Sequence, residues 1–206
     1  SIIEIKTKIE KIGTQLKEWK VEIYRGIVTG YNEAFVIDTE TKEKLIKENP
    51  NCEKIIKPLI RGRDINRWNY KNSGLWIIFT KREINIENYL PVKQHLTTFK
   101  NFLEPGKGRK PGQYKWYEIQ DNIAYYQEFD KDKIVWIELT NENRFAYSTN
   151  GDYVLAGAFI MTGESLKFLL AFLNSKLCKF YFELICNSSG MATTQWKKFV
   201  LERMPI

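Results

Sequence analysis

The sequence predicts a mixed α/β chain of the α+β class, in which helices pack on a twisted, largely antiparallel sheet and an amphipathic helix precedes the domain. Helical periodicity marks both ends of the chain, whereas short runs of β-branched and aromatic residues, separated by turn residues, fill the middle. The 206 residues, 43% of them apolar, suffice for one substantial core, or for one core and a small appendage. We therefore expect one main globular unit.

The first segment of the chain carries an apolar stripe with helical spacing. The stripe consists of Ile5, Ile9, Ile12, Leu16 and Trp19. It predicts one helix that reaches Trp19, because Gly13 costs only about 1 kcal/mol in a helix that packing supports. The stripe packs either on this domain or on a neighbouring one. The chain starts at Ser1 without an initiator Met or a secretion signal, so we expect it to be part of a longer protein.

Periodicity and turn residues predict the other elements. Helices are expected at 41–49, 91–103, 165–185 and 196–201. Strands are expected at 75–79, 123–126, 133–139, 144–148 and 153–155. The long helix at 165–185 has a candidate break at Asn174 and Ser175, and Asn150-Gly151 is a typical hairpin turn.

Positive charge is concentrated in two segments. Residues 57–82 hold seven Lys or Arg against one acid, and residues 100–115 hold five against one, in a chain whose total charge is +7. The rest of the chain is therefore slightly acidic. Arginine forks match phosphate oxygens and guanine edges, and the neighbouring aromatic rings can stack on bases. The two segments favour a nucleic-acid partner; the alternatives are a solvated turn and a flexible charged loop.

A glycine-framed loop precedes the first charged segment. Gly26 and Gly30 enclose Thr29, and Asn32 follows, ahead of a β-branched stretch. The exposed amides of such a loop, with the Thr29 hydroxyl and the Asn32 amide, are suited to a phosphate. A plain hairpin loop is the alternative.

Several kinds of chemistry lack the residues they need. His95 is the one histidine, and no nucleophile and base are paired in the sequence. The three cysteines Cys52, Cys178 and Cys186 have no metal-binding spacing, which predicts a reduced, cytoplasmic protein without a metal site. No apolar run approaches the ~20 residues that span a bilayer. We expect the chain to bind and not to catalyse.

Five segments, in this order, resemble the TaqI-like C-terminal specificity domain. They are RGIVTGYNEAF (25–35), KPLIRGRDI (57–65), KWYEIQ (115–120), KIVW (133–136) and LNSKL (173–177). The resemblance covers residues 24–206. That family supplies the target recognition domain of adenine-N6 DNA methyltransferases and of type IIG, Eco57I-like restriction-modification enzymes, and it is similar to the recognition domains of type I specificity subunits.

The resemblance implies a domain organisation and partners. Residues 1–22 would be a connector helix from a missing catalytic domain, and residues 23–206 the DNA target recognition domain. The partners would be double-stranded DNA and a covalently linked methyltransferase domain, with no membrane. The chain itself would hold no cofactor; S-adenosylmethionine, and Mg²⁺ where a nuclease is present, would bind the parent enzyme. Glycine-loop and Asn/Asp-Pro-Pro-aromatic motifs of methyl transfer are absent from the chain.

Charge and resemblance together give a candidate DNA site. The predicted phosphate contacts are Thr29, Asn32, Arg61, Arg63, Arg67, Lys81, Lys107, Arg109 and Lys110. The candidate base readers are Trp68, Tyr70, Lys71, Gln113, Tyr114, Lys115 and Trp116. The competing hypotheses are a protein-docking or specificity-subunit module with nonspecific DNA attraction, and a nuclease.

Overall fold

A computed structural model of the chain describes residues 1–185 and 195–206. The helices are α1 (Ile2–Ile12), α2 (Asn32–Phe35), α3 (Thr39–Glu48), α4 (Leu90–Thr97), α5 (Lys100–Leu103), α6 (Leu166–Leu173), α7 (Lys176–Ile185) and α8 (Lys198–Leu201). The strands are β1 (Val21–Arg25), β2 (Val36–Asp38), β3 (Ile56–Ile60), β4 (Leu75–Ile78), β5 (Lys133–Ile137), β6 (Phe145–Ser148), β7 (Tyr153–Val154) and β8 (Ala158–Gly163). The described ranges contain no helix that combines the length and the apolar character needed to cross a bilayer.

The strands form two four-stranded sheets. The first sheet has the order β1-β8-β5-β6 and is antiparallel throughout. The second has the order β2-β4-β3-β7, and its β3–β7 pair is parallel. The predicted class, helices packed on largely antiparallel sheet, is confirmed, although the strands divide into two sheets.

The first sheet is covered on both faces because its side chains alternate between two cores. Val135 and Ile160 pack in the core that the second sheet and α2–α4 enclose. Trp136 and Met161 point the other way, into the core beneath α6, α7 and α8. Period-two alternation of a strand buried on both faces explains why β5 and β8 are apolar at nearly every position.

The N-terminal helix is shorter than the stripe predicts. It ends at Gly13, whose backbone is extended. Thr14 and Ile206 exchange main-chain hydrogen bonds of 2.9 Å, and Leu16 donates its N–H to the oxygen of Met204 at 2.8 Å. A Cβ at position 13 would lie 2.7 Å from the Pro205 side chain, so a glycine permits this approach. Residues 14–19, which were predicted to be the last turns of this helix, instead pair with the C-terminal segment. Of these residues, only Leu16 is fully buried.

Three other local predictions are wrong. Residues 123–126 do not form a strand: residues 124–125 form a turn, and Tyr126 begins a 3-10 segment, Tyr126–Asp130. The helix expected at 91–103 divides into α4 and α5. The Asn150-Gly151 turn joins β6 of the first sheet to β7 of the second, so its flanking strands do not pair as a hairpin.

The break in the C-terminal helix is confirmed and has a clear cause. Asn174 lies between α6 and α7, where its side-chain oxygen accepts the Phe145 N–H at 3.1 Å and its amide donates to the Phe145 oxygen at 2.8 Å. This double hydrogen bond fixes the helix break to the edge strand β6. Cys52 and Cys178 are buried free thiols, and Cys186 lies outside the described residues.

Candidate nucleic-acid interface

The glycine-framed loop and the Arg61 turn lie at the same end of the second sheet. Ile60 in β3 pairs in parallel with Val154 in β7, and Ile27 pairs in parallel with Leu155. The Ile27 N–H donates to the Val154 oxygen and its own oxygen accepts from Ala156, both at 2.8 Å. Because the three segments run in the same direction, Arg61, which follows β3, and Thr29, which follows Ile27, lie at the same end of the sheet. Neighbouring strands are about 4.8 Å apart, so the two loops start about 10 Å from each other.

Gly26 makes this arrangement possible. A Cβ there would lie 2.2 Å from the main-chain oxygen of Leu155, closer than any side chain can approach. A glycine is therefore needed at position 26 because the main chains of Gly26 and Leu155 pack closely together. Any phosphate contact of this loop involves the residues that follow Gly26.

The Thr29 hydroxyl is not available to a phosphate, contrary to the prediction. Thr29 is 1% exposed, its O–H donates to the Asn32 side-chain oxygen at 2.6 Å, and its oxygen accepts the Tyr31 N–H at 3.2 Å. The hydroxyl thus shapes the turn that starts α2. Asn32 itself stays exposed at the mouth of a cavity of about 430 Å³ lined by residues 27–33 and by Leu155 and Ala156.

Arg109 is buried, and the prediction that it binds a phosphate is wrong. Its Nε donates to the Leu103 oxygen at 2.8 Å. The other four N–H groups donate to the oxygens of Thr29 (3.0 Å), Glu118 (2.7 Å), Lys115 (3.4 Å) and Trp116 (2.8 Å). A guanidinium has five donors, so none is left for a ligand. Burial, and to a smaller extent the charge of Arg82, lower the pKa of Arg109, and Tyr114, Glu118 and Glu104 offset this in part.

The buried guanidinium joins the second basic segment to the glycine-framed loop. Gly30, at φ +83°, lies so close that a Cβ would be 2.5 Å from Arg109 Cδ. The Gln120 N–H donates to the Thr29 oxygen and the Asp121 N–H to the Val28 oxygen, both at 3.2 Å. Residues 120 and 121 therefore lie beside the loop, and the Arg109 side chain ties an earlier part of the same segment to it.

The surface of this second segment is basic and open. Lys107, Lys110, Gln113 and Lys115 are exposed. The Lys115 amine interacts with Tyr117, whose hydroxyl raises the pKa of the lysine. These four side chains stay predicted DNA contacts. The buried Arg109 holds the main chain of their segment in place.

Two aromatic rings predicted to read bases are partly covered. The Tyr114 ring lies between the guanidinium groups of Arg82 and Arg109, 5.0 and 4.7 Å from its centre, and its hydroxyl donates to the Lys110 oxygen. Trp116 is half-buried with its ring edge-on to Tyr117.

Lys81, a predicted phosphate contact, is exposed and donates to the Tyr126 hydroxyl at 3.1 Å.

The first basic segment forms a loop with a fixed base. Arg61 donates two hydrogen bonds to Asp64, of 2.6 and 3.1 Å, and they hold the pKa of that carboxyl below its usual range. Gly62 packs against Ile137 at the end of β5. Arg63 is exposed and makes no side-chain hydrogen bond or ion pair within the described ranges. Arg63 is thus the freest guanidinium of the turn, whereas Asp64 partly neutralises Arg61.

The far side of this loop is anchored on the first sheet. Arg67 donates to the side-chain oxygen of buried Asn143 at 3.0 Å. The Tyr70 hydroxyl donates to Asp152 at 2.5 Å, and burial together with this carboxylate raises the pKa of Tyr70. Lys71 and Trp68 are exposed. The hydroxyl of Tyr70 is therefore engaged inside the protein, which leaves Trp68 and Lys71 as the open side chains of the predicted reading set on this loop.

A family model of the TaqI-like C-terminal specificity domain matches residues 57–206. The chain belongs to this family. The match begins at the first basic segment, so the 25–35 phrase lies outside the matched residues. No curated protein matches the chain.

Two solved structures share the fold of this specificity domain. The type IIG restriction endonuclease BpuSI aligns with a TM-score of 0.60 at 13% identity over 100% of this chain. The type IIL restriction-modification enzyme MmeI, solved in complex with DNA, aligns with a TM-score of 0.53 at 14% identity over 80% of this chain. The specificity domain spans 26% of the BpuSI chain and 22% of the MmeI chain.

Two anchoring residues of the specificity domain escaped sequence reasoning. Arg82 donates to the oxygens of Ile119 and Gln120, and so fixes the residues that follow the second basic segment. Asn143 holds Arg67 while donating to the Leu173 and Ser175 oxygens at 2.7 and 2.9 Å. Neither has a local signal, because the partners are 30 or more residues away in sequence. In the described part of the chain, no three His, Cys, Asp or Glu residues are grouped for a metal ion.

Proposed function

We propose that this chain recognises a specific sequence in double-stranded DNA for a restriction-modification enzyme. The domain would position the duplex for adenine-N6 methylation, with or without cleavage, by a domain to which it is covalently linked, in the cytoplasm. The family match supports the specificity role, and the resemblance of the sequence supports the choice of adenine.

The observation that carries the proposal is the row of loops at one end of the molecule. The Arg61 turn, residues 155–157 and the loop at 28–32 are neighbours in that order, and hydrogen bonds from Gln120, Asp121 and Arg109 join the 109–121 segment to this loop. Two strand spacings of about 5 Å separate the starts of the Arg61 turn and of the 28–32 loop, and this distance of about 10 Å is close to the width of the major groove of about 12 Å. Charges distant in sequence thus meet the same stretch of duplex.

The roles of individual residues follow from their exposure. Asn32, Arg63, Lys107 and Lys110 would hold phosphates, with Arg61, Arg67 and Lys81 contributing from partly paired positions. Long exposed donors, Lys71, Gln113 and Lys115, are suited to base edges. S-adenosylmethionine, and Mg²⁺ where cleavage occurs, would bind the linked domain.

The salt dependence of duplex binding tests the proposal. Each phosphate that is neutralised contributes about −0.9 to the slope of log affinity against log salt. Arg63→Ala is expected to weaken binding to all duplexes alike and to make the slope shallower by about one. Lys8→Ala is the matched control, because Lys8 is an exposed cation on α1, far in sequence from both basic segments. Equal effects of the two variants, or duplex binding that does not respond to salt, would contradict the proposal.

A second candidate function rests on the N-terminal helix. No residue of α1 is buried, and Ile2, Ile5 and Ile12, which lie on one side of the helix, are 48–72% exposed. Such a face suits a helix that connects to the linked domain, as residues 1–22 are proposed to do, or that docks a partner. Val21 already belongs to β1, an edge strand of the first sheet. Within residues 1–22, α1 is therefore the part that can act separately from the domain.

Sedimentation velocity distinguishes docking from DNA recognition. If docking is the main role, the wild-type chain self-associates and the double variant Ile5→Glu, Ile12→Glu is monomeric, with unchanged affinity for duplex. If DNA recognition is the main role, both proteins are monomers and both bind duplex in a salt-dependent way.

A further inference from the structure

Trp68 differs from the other tryptophans of the protein. All six lie in the described ranges, and Trp68 alone is exposed, at 48%. Its indole makes no hydrogen bond and no ring contact with any residue that the structure describes. The other five indoles are partly or fully buried, such as Trp136 and Trp196 in the core beneath α6 and α7.

The backbone of Trp68 is held in an unfavourable conformation. Its φ is +78°, a left-handed value that only three non-glycine residues of the described chain adopt. Such a conformation is costly for a residue with a Cβ, and it persists where the surroundings enforce it. Here the Trp68 N–H donates to the Phe145 oxygen at 2.8 Å, and its own oxygen accepts from Tyr147 at 3.5 Å.

The rest of the loop is equally constrained. Asn66 donates its N–H to the Asn69 oxygen, and Lys71 donates to the Asp64 oxygen, both at 2.9 Å. The four residues at the tip, 66–69, are all exposed. The indole is therefore presented on a preorganised loop, although both its exposure and its backbone conformation oppose folding. A contact outside the chain explains why a large ring is placed there.

The surroundings of the ring specify the kind of contact. Arg63, Arg67 and Lys71 flank it in sequence and are exposed, with no acidic side chain among the exposed residues 66–72. A flat ring among cations matches a nucleobase beside its phosphates, because base faces stack on aromatic rings while the backbone pairs with Arg and Lys. An apolar protein surface would complement the indole ring but not the three cations around it.

We propose that Trp68 stacks on the face of a nucleobase in the bound duplex. In B-form DNA the base faces are covered by their neighbours, so this contact requires a base step that has opened. The inference rests on the proposed function and adds to it that the domain deforms its target. Trp68 would then contribute affinity through stacking, separately from the charges that contact phosphates.

Three substitutions at position 68 separate stacking from other roles. In low salt, with a pool of short random-sequence duplexes, Trp68→Phe keeps a stackable ring and is expected to bind within a few-fold of wild type. Trp68→Leu keeps apolar bulk without a ring and is expected to lose roughly 10-fold or more in affinity. Trp68→Gly should bind as weakly as the leucine variant while unfolding at higher urea, because glycine tolerates φ +78°.

Ser165→Gly is the matched control for the change in backbone strain. Ser165 is exposed with φ +56°, and it lies at the start of α6, away from the basic segments. This variant should also gain stability but bind duplex as the wild type does. A loss of affinity equal to that of Trp68→Gly would show that loop or domain rigidity, and not the ring, determines binding, and would overturn the proposal.

Tryptophan emission gives a direct readout of the stacking contact. Saturating duplex should quench the wild-type emission more than that of Trp68→Phe, and the difference is the signal of Trp68. Equal quenching, or a leucine variant that binds as wild type, overturns the stacking proposal while the proposed function stands. If the wild-type chain binds no duplex even at low salt, both fail.

Discussion

Substitution of Arg109 by lysine tests how strongly one buried side chain joins the two loops around it. The five guanidinium N–H groups donate to main-chain oxygens of residues 29, 103, 115, 116 and 118. Lysine has three donors on a single nitrogen, so at least two of these oxygens lose their partner. At about 1.5–3 kcal/mol for each hydrogen bond to a charged group, we expect the free energy of unfolding to fall by roughly 3 kcal/mol or more.

The assay combines urea unfolding with hydrogen exchange. The amide of Gln120, which donates to the Thr29 oxygen, should lose protection in Arg109→Lys because the two segments separate. Lys110→Met is the control: Lys110 is exposed, and its substitution should change the free energy of unfolding by less than about 0.5 kcal/mol. An Arg109→Lys variant as stable as wild type, with full protection of the Gln120 amide, would refute the structural role of Arg109.

Three further predictions concern other buried groups. Burial lowers the pKa of Lys133 to about 8. Between that pH and the unfolded pKa of about 10.4 the unfolded chain binds more protons than the folded one, so the free energy of unfolding should rise with pH. Urea titrations at pH 7 and pH 10 should show a rise of roughly 3 kcal/mol in wild type relative to Lys133→Met. Gly26→Ala places a Cβ against the Leu155 oxygen and should cost about 2–3 kcal/mol, measured by the shift of the urea midpoint at constant m; an unchanged midpoint would mean that the two main chains can separate. Asn174→Ala leaves the buried Phe145 N–H unpaired and removes one of the two donors to the Phe145 oxygen, which Trp68 still reaches. It should cost about 2 kcal/mol, against less than about 0.5 kcal/mol for the exposed Asn101→Ala, as urea unfolding of both variants would show.

Elements with a strong local pattern were predictable from the sequence. The apolar spacing of α6 and α7, with Asn174-Ser175 between them, gave both helices and their break. The β-branched run at 133–139 gave β5. The central strand β8 was missed, because a strand buried on both faces has no alternation of polar and apolar residues to distinguish it.

Partners distant in sequence account for the remaining errors. The Asn150-Gly151 turn is a sound local prediction, with Gly151 at φ +65°, but nothing local states that the next strand joins the other sheet. Arg109 has the same appearance in sequence as Lys107 and Lys110. Its burial depends on carbonyl oxygens up to 80 residues away, which only the tertiary structure brings together.

The hydrogen-bonded pair of Thr14 and Ile206 brings the first and the last residues of the domain body to one spot. A segment bounded by two adjacent points can be exchanged as a cassette, because a replacement of the same fold meets both junctions without moving either. If the proposed function holds, replacing residues 14–206 by those of a relative should change the recognised sequence without moving either junction.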